Sequence, residues 1–178
     1  MERRSLLTIG LVSTAALAAS GAYYKLLGQS ATKGLAEDGS YWGIPVGQAP
    51  YEVAMTEEEW QEKLTRNQFL ILRKHRTERA FTSPLDKNYS EGMYHCQGCD
   101  LPLYSSKTKF NSGTGWPSFW EAEPDAVRVS LDRSFGMTRV EVHCRRCGGH
   151  LGHIFNDGPE PTGLRHCING VALKFLEA

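Results

Sequence analysis

Residues 144–155 read CRRCGGHLGHIF, and a second CxxC pair, Cys96-Gln97-Gly98-Cys99, lies earlier in the chain. A CxxC turn presents two sulfurs to one side of a metal, and two such turns complete the tetrahedral shell that zinc prefers. We therefore predict one structural zinc per chain. Its ligands are Cys96, Cys99, Cys144 and Cys147.

Other uses of the two CxxC pairs stay open at this point. One pair would suit a thioredoxin-type redox disulfide, although no βαβ pattern surrounds either. Two disulfides would suit an exported protein. If zinc is bound, the long linker between the pairs predicts an inserted lobe, residues 104–142, in a β domain that the metal holds together.

Local patterns predict two short helices followed by a mainly antiparallel β domain. A capping box, Thr56 with Glu59, starts a helix at 57–64, and a second helix is expected at 68–74. Alternating or apolar runs then predict strands, separated by turn residues. The predicted strands are one leading into Cys96 and others at 126–131, 137–142 and 171–176.

The N-terminus has the pattern of a targeting segment. Arg3 and Arg4 precede an uncharged apolar run, 5–22, that ends in small residues. We expect a signal peptide or membrane anchor at 1–22, a tether at 23–50 and the folded domain at 51–178. The arginine pair partly matches a twin-arginine signal, which predicts export to the periplasm or anchoring that faces it. The segment could be cleaved or could be retained with an N-terminal membrane contact, and both outcomes are open. The alternative to a targeting segment is a buried core helix.

Composition excludes one class of partner. The chain of 178 residues has 20 basic and 20 acidic residues, so its formal net charge is zero. A nucleic-acid binder that relies on a positive field is not expected. The length suggests one domain with appendages.

The fifth cysteine, Cys167, has no partner once four are assigned to zinc. It lies in the sequence RHCIN, 165–169, and a nearby cation such as Arg165 or a histidine would lower the pKa of its thiol. Histidine also transfers protons near neutral pH, and His150 and His153 follow the second CxxC pair. The alternatives are that Cys167 is a buried small residue and that the histidines belong to the core or the metal.

The chain from about residue 55 to 178 resembles the methionine-R-sulfoxide reductase B family. The first 50 residues lie outside the resemblance. The matching motifs, besides both CxxC pairs, are TERAFT at 77–82, GTGWPSF at 113–119, HLGHIF at 150–155 and RHCIN at 165–169.

The resemblance implies a mainly β fold of two antiparallel sheets with short N-terminal helices, held together by a zinc site of four cysteines. It also implies a reductase that repairs oxidised proteins, converting methionine-R-sulfoxide, protein-bound or free, to methionine through a sulfenic acid on the nucleophile. The implied catalytic residues are Cys167, His150, His153 and Asn169. The implied substrate-binding residues are Trp116, Phe119, Phe155 and Arg165.

One position departs from part of the family. Many members have a resolving cysteine where this chain has Thr114. We therefore predict that no internal disulfide forms and that a thioredoxin-like or other external thiol donor restores Cys167. A zinc-stabilised binding module without catalysis and a hydrolase using Cys167 with His153 are the rival hypotheses.

Overall fold

The computed structural model describes Ile44 and residues 50–178. The predicted signal segment, 1–22, and nearly all of the tether, 23–50, lie outside the described residues. Among the residues that are described, no helix has the length and apolar character needed to span a bilayer.

Two short helices open the folded part, α1 (Glu57–Lys63) and α2 (Arg66–Lys74). The Thr56–Glu59 capping box is confirmed at the start of α1. A second box, Thr65 with Gln68, was missed, so α2 begins earlier than predicted. Both helices bury an apolar face, which consists of Trp60, Phe69, Ile71 and Leu72.

The described residues form nine strands in two antiparallel sheets, which confirms the predicted fold class. The strands are β1 (Gly92–Cys96), β2 (Pro102–Ser105), β3 (Lys109–Phe110), β4 (Ser118–Phe119), β5 (Val127–Asp132), β6 (Arg139–Cys144), β7 (His150–Phe155), β8 (Arg165–Ile168) and β9 (Leu173–Glu177). The small sheet has the order β2-β1-β9, and the large sheet has the order β3-β4-β8-β7-β6-β5.

The last strand starts later than its apolar sequence predicts. A 3₁₀ turn, Gly170–Ala172, replaces the first residues of the predicted strand 171–176. Apolar periodicity does not distinguish a buried turn from a buried strand, because both place the same side chains in the core.

The linker between the CxxC pairs is not an inserted lobe, and that prediction was wrong. It supplies β3 to β5 and most of β6, and these strands flank β7 and β8 on both sides in the large sheet. Strands β7 and β8 therefore lie in the middle of the sheet, hydrogen-bonded along both edges. Side chains on these two strands are held in fixed positions.

Aromatic side chains fill the space below β4. Phe119 is completely buried and stacks on Tyr104, with 4.5 Å between ring centroids. Tyr94 meets the same ring edge-on at 5.0 Å. Rings of this size bury about 150–250 Å² each, so this group contributes much of the core that supports the large sheet.

Candidate active site and metal centre

The four cysteines of the CxxC pairs converge on one point. The Sγ atoms of Cys96 and Cys147 are 3.7 Å apart, and those of Cys99 and Cys144 are 3.5 Å apart. A tetrahedron with zinc–sulfur distances of about 2.3 Å has sulfur–sulfur edges of roughly 3.8 Å, so the spacing fits zinc. All five cysteines of the chain are free of disulfides, which contradicts the disulfide hypothesis.

The four neighbouring sulfurs form a group that could hold a cation. Hydrogen bonds that the Cys96 thiol donates to the neighbouring sulfurs, that of Cys144 first, raise its pKa well above its ordinary value. Four sulfurs at these distances cannot all be thiolates without a positive charge between them. The cluster therefore has the chemistry of a metal site.

Residues near the N-terminus of the folded part support the second CxxC turn. Arg73 donates to the Cys147 carbonyl oxygen at 2.9 Å and lies over the Trp60 ring. Gly148 has a φ of +67°, and a Cβ there would lie 2.3 Å from the Tyr51 ring. Only glycine combines this conformation with so close a packing partner.

Cys167 lies on β8, between two neighbouring strands. Its Cα partners are Ser118 on β4 and His153 on β7. Residues directly opposite each other across a strand pair project from the same face of the sheet, so Cys167 and His153 point the same way. Gly152 allows the close approach of β7, because a Cβ there would lie 2.0 Å from the Cys167 carbonyl oxygen.

A cavity of about 130 Å³ opens above Cys167. The half-buried rings of Trp116 and Phe155 lie among its apolar walls, and the other side is polar. The lining residues are Thr77, Trp116, Arg139, Gly152, His153, Phe155, Cys167 and Asn169. The structure thus brings five predicted site residues together around one small space.

Burial dominates the ionisation of Cys167. It raises the pKa of the thiol above its ordinary value, although Arg165 and a contact with Thr114 act in the opposite direction. Arg165 thus acts in the expected direction, but burial outweighs it. Asp157 offsets the effect of Arg165, because it accepts two hydrogen bonds of 2.9 Å from the guanidinium.

Thr114 lies next to the Cys167 sulfur, at the position where many family members have a resolving cysteine. Its Oγ1 lies 4.0 Å from the Cys167 Sγ. Hydroxyl contacts of 2.8 Å connect Thr114 to Ser112 and Ser112 to Ser118. The remaining cysteines all lie in the metal cluster, so no second thiol is available to Cys167 within the chain.

His153 is held by a carboxylate that the sequence did not single out. Its Nε2 lies 2.8 Å from Oδ2 of Asp132. Burial alone would raise the pKa of Asp132, but hydrogen bonds from Ser134 and His153 and the charge of Arg139 outweigh it and hold the pKa well below its usual range. Asp132 is therefore a carboxylate, so Nε2 of His153 is the donor.

The pKa of His153 is itself lowered, mainly because burial disfavours the charged ring. A neutral ring whose Nε2 carries the proton has an unprotonated Nδ1. Nδ1 of His153 is therefore the ring nitrogen with a free lone pair, in a side chain that lines the same cavity as Cys167.

His150 does not line this cavity. It lines a larger neighbouring groove of about 730 Å³, which shares Thr77, Arg139 and His153 with the cavity. Its Nδ1 lies 2.6 Å from Oε1 of buried Glu141, and its Nε2 is buried without a hydrogen-bond partner.

Asn169 has an architectural role that the sequence did not reveal. Its side-chain amide donates to the Leu151 carbonyl and accepts from the Glu78 backbone N–H, both at 2.9 Å. Glu78 in turn accepts from the backbone N–H groups of Gly170 and Val171, and its carbonyl accepts from the Trp116 indole. Glu78 thus connects the aromatic wall to the turn after β8.

Comparison with known proteins identifies the family. The family model described as the SelR domain matches residues 64–177.

The chain belongs to the SelR domain family.

Relatives named peptide methionine sulfoxide reductase MsrB match most of the folded part. The protein from Leptospira interrogans is 53% identical over 70% of this chain and 96% of its own length. The protein from Agrobacterium fabrum is 50% identical over 70% of this chain and 93% of its own length. The protein from Methanosarcina mazei is 51% identical over 72% of this chain and 93% of its own length.

Two predicted substrate-binding residues of this SelR domain do not line the cavity. Phe119 is in the aromatic core and is wholly buried, so it supports the sheet beneath Cys167 without reaching a ligand. Arg165 is buried against Asp157 and the Phe155 ring, so it acts on Cys167 through charge.

Proposed function

We propose that this SelR domain protein reduces methionine sulfoxide in proteins to methionine, acting on the R epimer. The observation that carries the proposal is the cavity above Cys167, with an aromatic wall on one side and His153 on the other. A methyl sulfoxide has an apolar methyl group and a polar oxygen that point in different directions. Such a cavity distinguishes the two epimers, and the relatives named as peptide methionine sulfoxide reductases support this substrate class.

The proposed reaction transfers oxygen from the substrate to Cys167. The Cys167 sulfur attacks the electrophilic sulfur of the sulfoxide. The attack forms a sulfur–sulfur bond. The protonated oxygen then leaves the substrate sulfur and bonds to the Cys167 sulfur as the sulfur–sulfur bond breaks, so the substrate departs as the thioether of methionine with two more electrons and Cys167 is left as a sulfenic acid.

His153 moves the proton in this scheme. Because the pKa of the Cys167 thiol is raised, it enters the cycle protonated, and the unprotonated Nδ1 of His153 accepts its proton. The resulting imidazolium is stabilised by the Asp132 carboxylate at Nε2. It then protonates the sulfoxide oxygen as the sulfur–oxygen bond breaks.

An external thiol donor completes the proposed cycle. Two donor thiols reduce the sulfenic acid to the thiol, releasing one water and one donor disulfide. With Thr114 beside Cys167 and the other cysteines in the metal cluster, no internal disulfide takes part. We propose a thioredoxin-like protein or another thiol as this donor.

The metal of the four-cysteine cluster is proposed to be zinc with a purely structural role. The sulfur spacing and the all-thiolate donor set support zinc. The ligands are at the ends of β1 and β6 and in the turns that follow, so the metal connects the small sheet to the large one. It supplies no group to the Cys167 cavity.

Export to the periplasm also remains a proposal, since residues 1–22 lie outside the described part. The charge pattern around Arg3 and Arg4 supports it. Cell fractionation with N-terminal sequencing of the mature protein tests both the location and the choice between cleaved and retained forms.

The deciding experiment supplies separated R and S epimers of N-acetyl-methionine sulfoxide with dithiothreitol as the reductant. We expect turnover of the R epimer alone and none in Cys167→Ser. Thr114→Ser is a matched control, because it keeps a hydroxyl beside the nucleophile. Equal turnover of both epimers, or activity in Cys167→Ser, would contradict the proposal.

A further inference from the structure

A second cluster of metal-ligating side chains lies in the large groove, apart from the four cysteines. It consists of His75, Glu141 and His150, and one ligand atom from each lies within 4.8 Å of the others. Nδ1 of His75 and Nδ1 of His150 contact the same Oε1 of Glu141, at 2.8 Å and 2.6 Å. Three donors thus converge on one point from the end of α2, β6 and β7.

The cluster is both fixed and accessible. His150 is almost fully buried, and Glu141 is anchored by a hydrogen bond of 3.1 Å from Ser130 to its second oxygen. The His75 side chain is 61% exposed, and it stands at the end of α2 in the left-handed conformation. The groove of about 730 Å³ leads to it from solvent. His150 and Glu141 are therefore held by their surroundings, and His75 has the most freedom to adjust.

The geometry is close to that of a metal site with two histidines and one carboxylate. Metal–ligand distances of about 2.0–2.2 Å in a tetrahedron place the ligand atoms roughly 3.3 Å apart. The observed contacts are shorter because hydrogen bonds join these atoms. An ion in their place requires both contacts to open, that of His75 by about 0.5 Å and that of His150 by about 0.7 Å.

We propose that the His75–Glu141–His150 cluster binds a divalent first-row transition metal ion, which inhibits the reductase. Imidazole and carboxylate suit cobalt, nickel, copper and zinc, and they leave a fourth position for water from the groove. The inhibitory half rests on the proposed function. A bound ion would occupy His150 and place a positive charge beside His153, whose ring centroid is 5.5 Å from that of His150. The ion would thus stand at the wall that the groove shares with the Cys167 cavity, formed by Thr77, Arg139 and His153.

Cobalt(II) is the probe, added to the full chain with its structural metal in place. Binding is measured by calorimetry and by the visible absorption of cobalt, in a Cys167→Ser background that removes the free thiol. We expect one added cobalt per chain, without sulfur-to-cobalt charge-transfer bands. His75→Ala should weaken binding by at least about tenfold, as expected when a ligand is lost.

His95→Ala is the matched control, because His95 is another partly exposed histidine and its ring contacts only the Asp100 carbonyl. It should leave the cobalt affinity unchanged, with the structural metal content checked by atomic absorption. Equal affinity in His75→Ala and in the parent would overturn the site, as would the absence of cobalt binding.

The inhibition assay uses chains that keep Cys167, with rates expressed relative to each variant's own metal-free rate. The cobalt concentration for half inhibition should rise at least about tenfold in His75→Ala. Inhibition that is identical in both chains would refute the inhibitory role. If sulfoxide reduction is absent altogether, the proposed function fails, while the calorimetric result still decides whether the metal site exists.

Discussion

The four-cysteine cluster and the Cys167 cavity differ in how they are built. The cluster takes all its ligands from two tight turns, each fixed by backbone hydrogen bonds of its own. The cavity takes its lining from a loop near Thr77, the segment before β4, and strands β6, β7 and β8 with the turn that follows. One site is determined by sequence spacing, and the other exists only when the large sheet is assembled.

This difference means that stability and chemistry are separable in this molecule. The cluster connects two sheets but contributes nothing to the cavity lining. The cavity carries Cys167, the proposed nucleophile, whose sulfur takes no part in the backbone hydrogen bonds of the sheet. Substitutions in the two regions should therefore give opposite combinations of stability and activity.

The largest effect is expected for loss of a metal ligand. Cys147→Ser should unfold the domain, because structural zinc in small domains contributes about 10–16 kcal/mol, comparable to the whole stability of many proteins. Circular dichroism and bound-metal analysis measure this effect. Cys167→Ser is the control, since it makes the same atomic change outside the cluster. A folded, metal-bound Cys147→Ser chain would show that the two regions do not differ in this way.

Loss of the nucleophile should give the reverse result. Cys167→Ser should lower the rate of R-sulfoxide reduction by about 10⁴-fold or more. Its free energy of unfolding should stay within about 1 kcal/mol of the parent chain, because Cys167 is only half-buried. Turnover assays and urea titrations measure both quantities. A large loss of stability would show that the Cys167 region also stabilises the fold, so that stability and chemistry are not separable.

Asp132→Asn tests the polar side of the cavity. An amide accepts a hydrogen bond from His153 but does not stabilise the imidazolium, so kcat/KM should fall about 100-fold or more. Asp100→Asn is the matched control, since Asp100 makes a surface ion pair with Lys174. Equal rates in the two variants would exclude His153 as the proton carrier.

Glu78→Gln should have a smaller effect, on both stability and substrate binding. The amide keeps one acceptor but places N–H donors against a backbone N–H, which should cost about 1–3 kcal/mol of unfolding free energy. The Trp116 wall should loosen, so KM should rise more than kcat falls. Glu91→Gln, at an exposed position before β1, should change neither quantity. An unaltered KM would mean that Glu78 does not position the wall.

The smallest effects concern the pKa of Cys167, and the structure predicts opposite signs for two variants. Arg165→Met removes a charge that lowers the pKa of this thiol, so iodoacetamide labelling should shift to higher pH. Asp157→Asn removes a charge that raises it, so labelling should shift to lower pH. The pH profile of alkylation, followed by mass spectrometry, measures both. Shifts of the same sign would show that distortion rather than charge is responsible.

The sequence predicted what depends on short spacing. In each CxxC turn and in the capping box at Thr56, the interacting residues are at most three positions apart. Both members of each pair can therefore be recognised from the sequence. The family resemblance predicted Trp116 and His153 as site residues, and both line the cavity. Residues fixed by distant neighbours were missed or misplaced.

Two examples show why the rest could not be predicted. Glu78 is a lone acidic residue in a loop, and its partners, Asn169 and the turn after it, lie about ninety positions away. Phe119 has the aromatic side chain expected of a pocket residue, but the pairing of β4 with β8 turns its ring into the core. Strand pairing over such separations depends on the packing of the whole sheet and not on local pattern.

The position of Cys167 on an inner strand restricts the thiols that are able to regenerate it. Strands hydrogen-bonded on both sides have no hinge, so the sulfenic acid cannot swing outward to meet a donor. The donor must instead place its sulfur inside a space of about 130 Å³. Small thiols and proteins with a protruding cysteine meet that requirement, and a donor with its thiol in a recess does not. The cavity would therefore select the reductant by shape, as we propose that it selects the substrate.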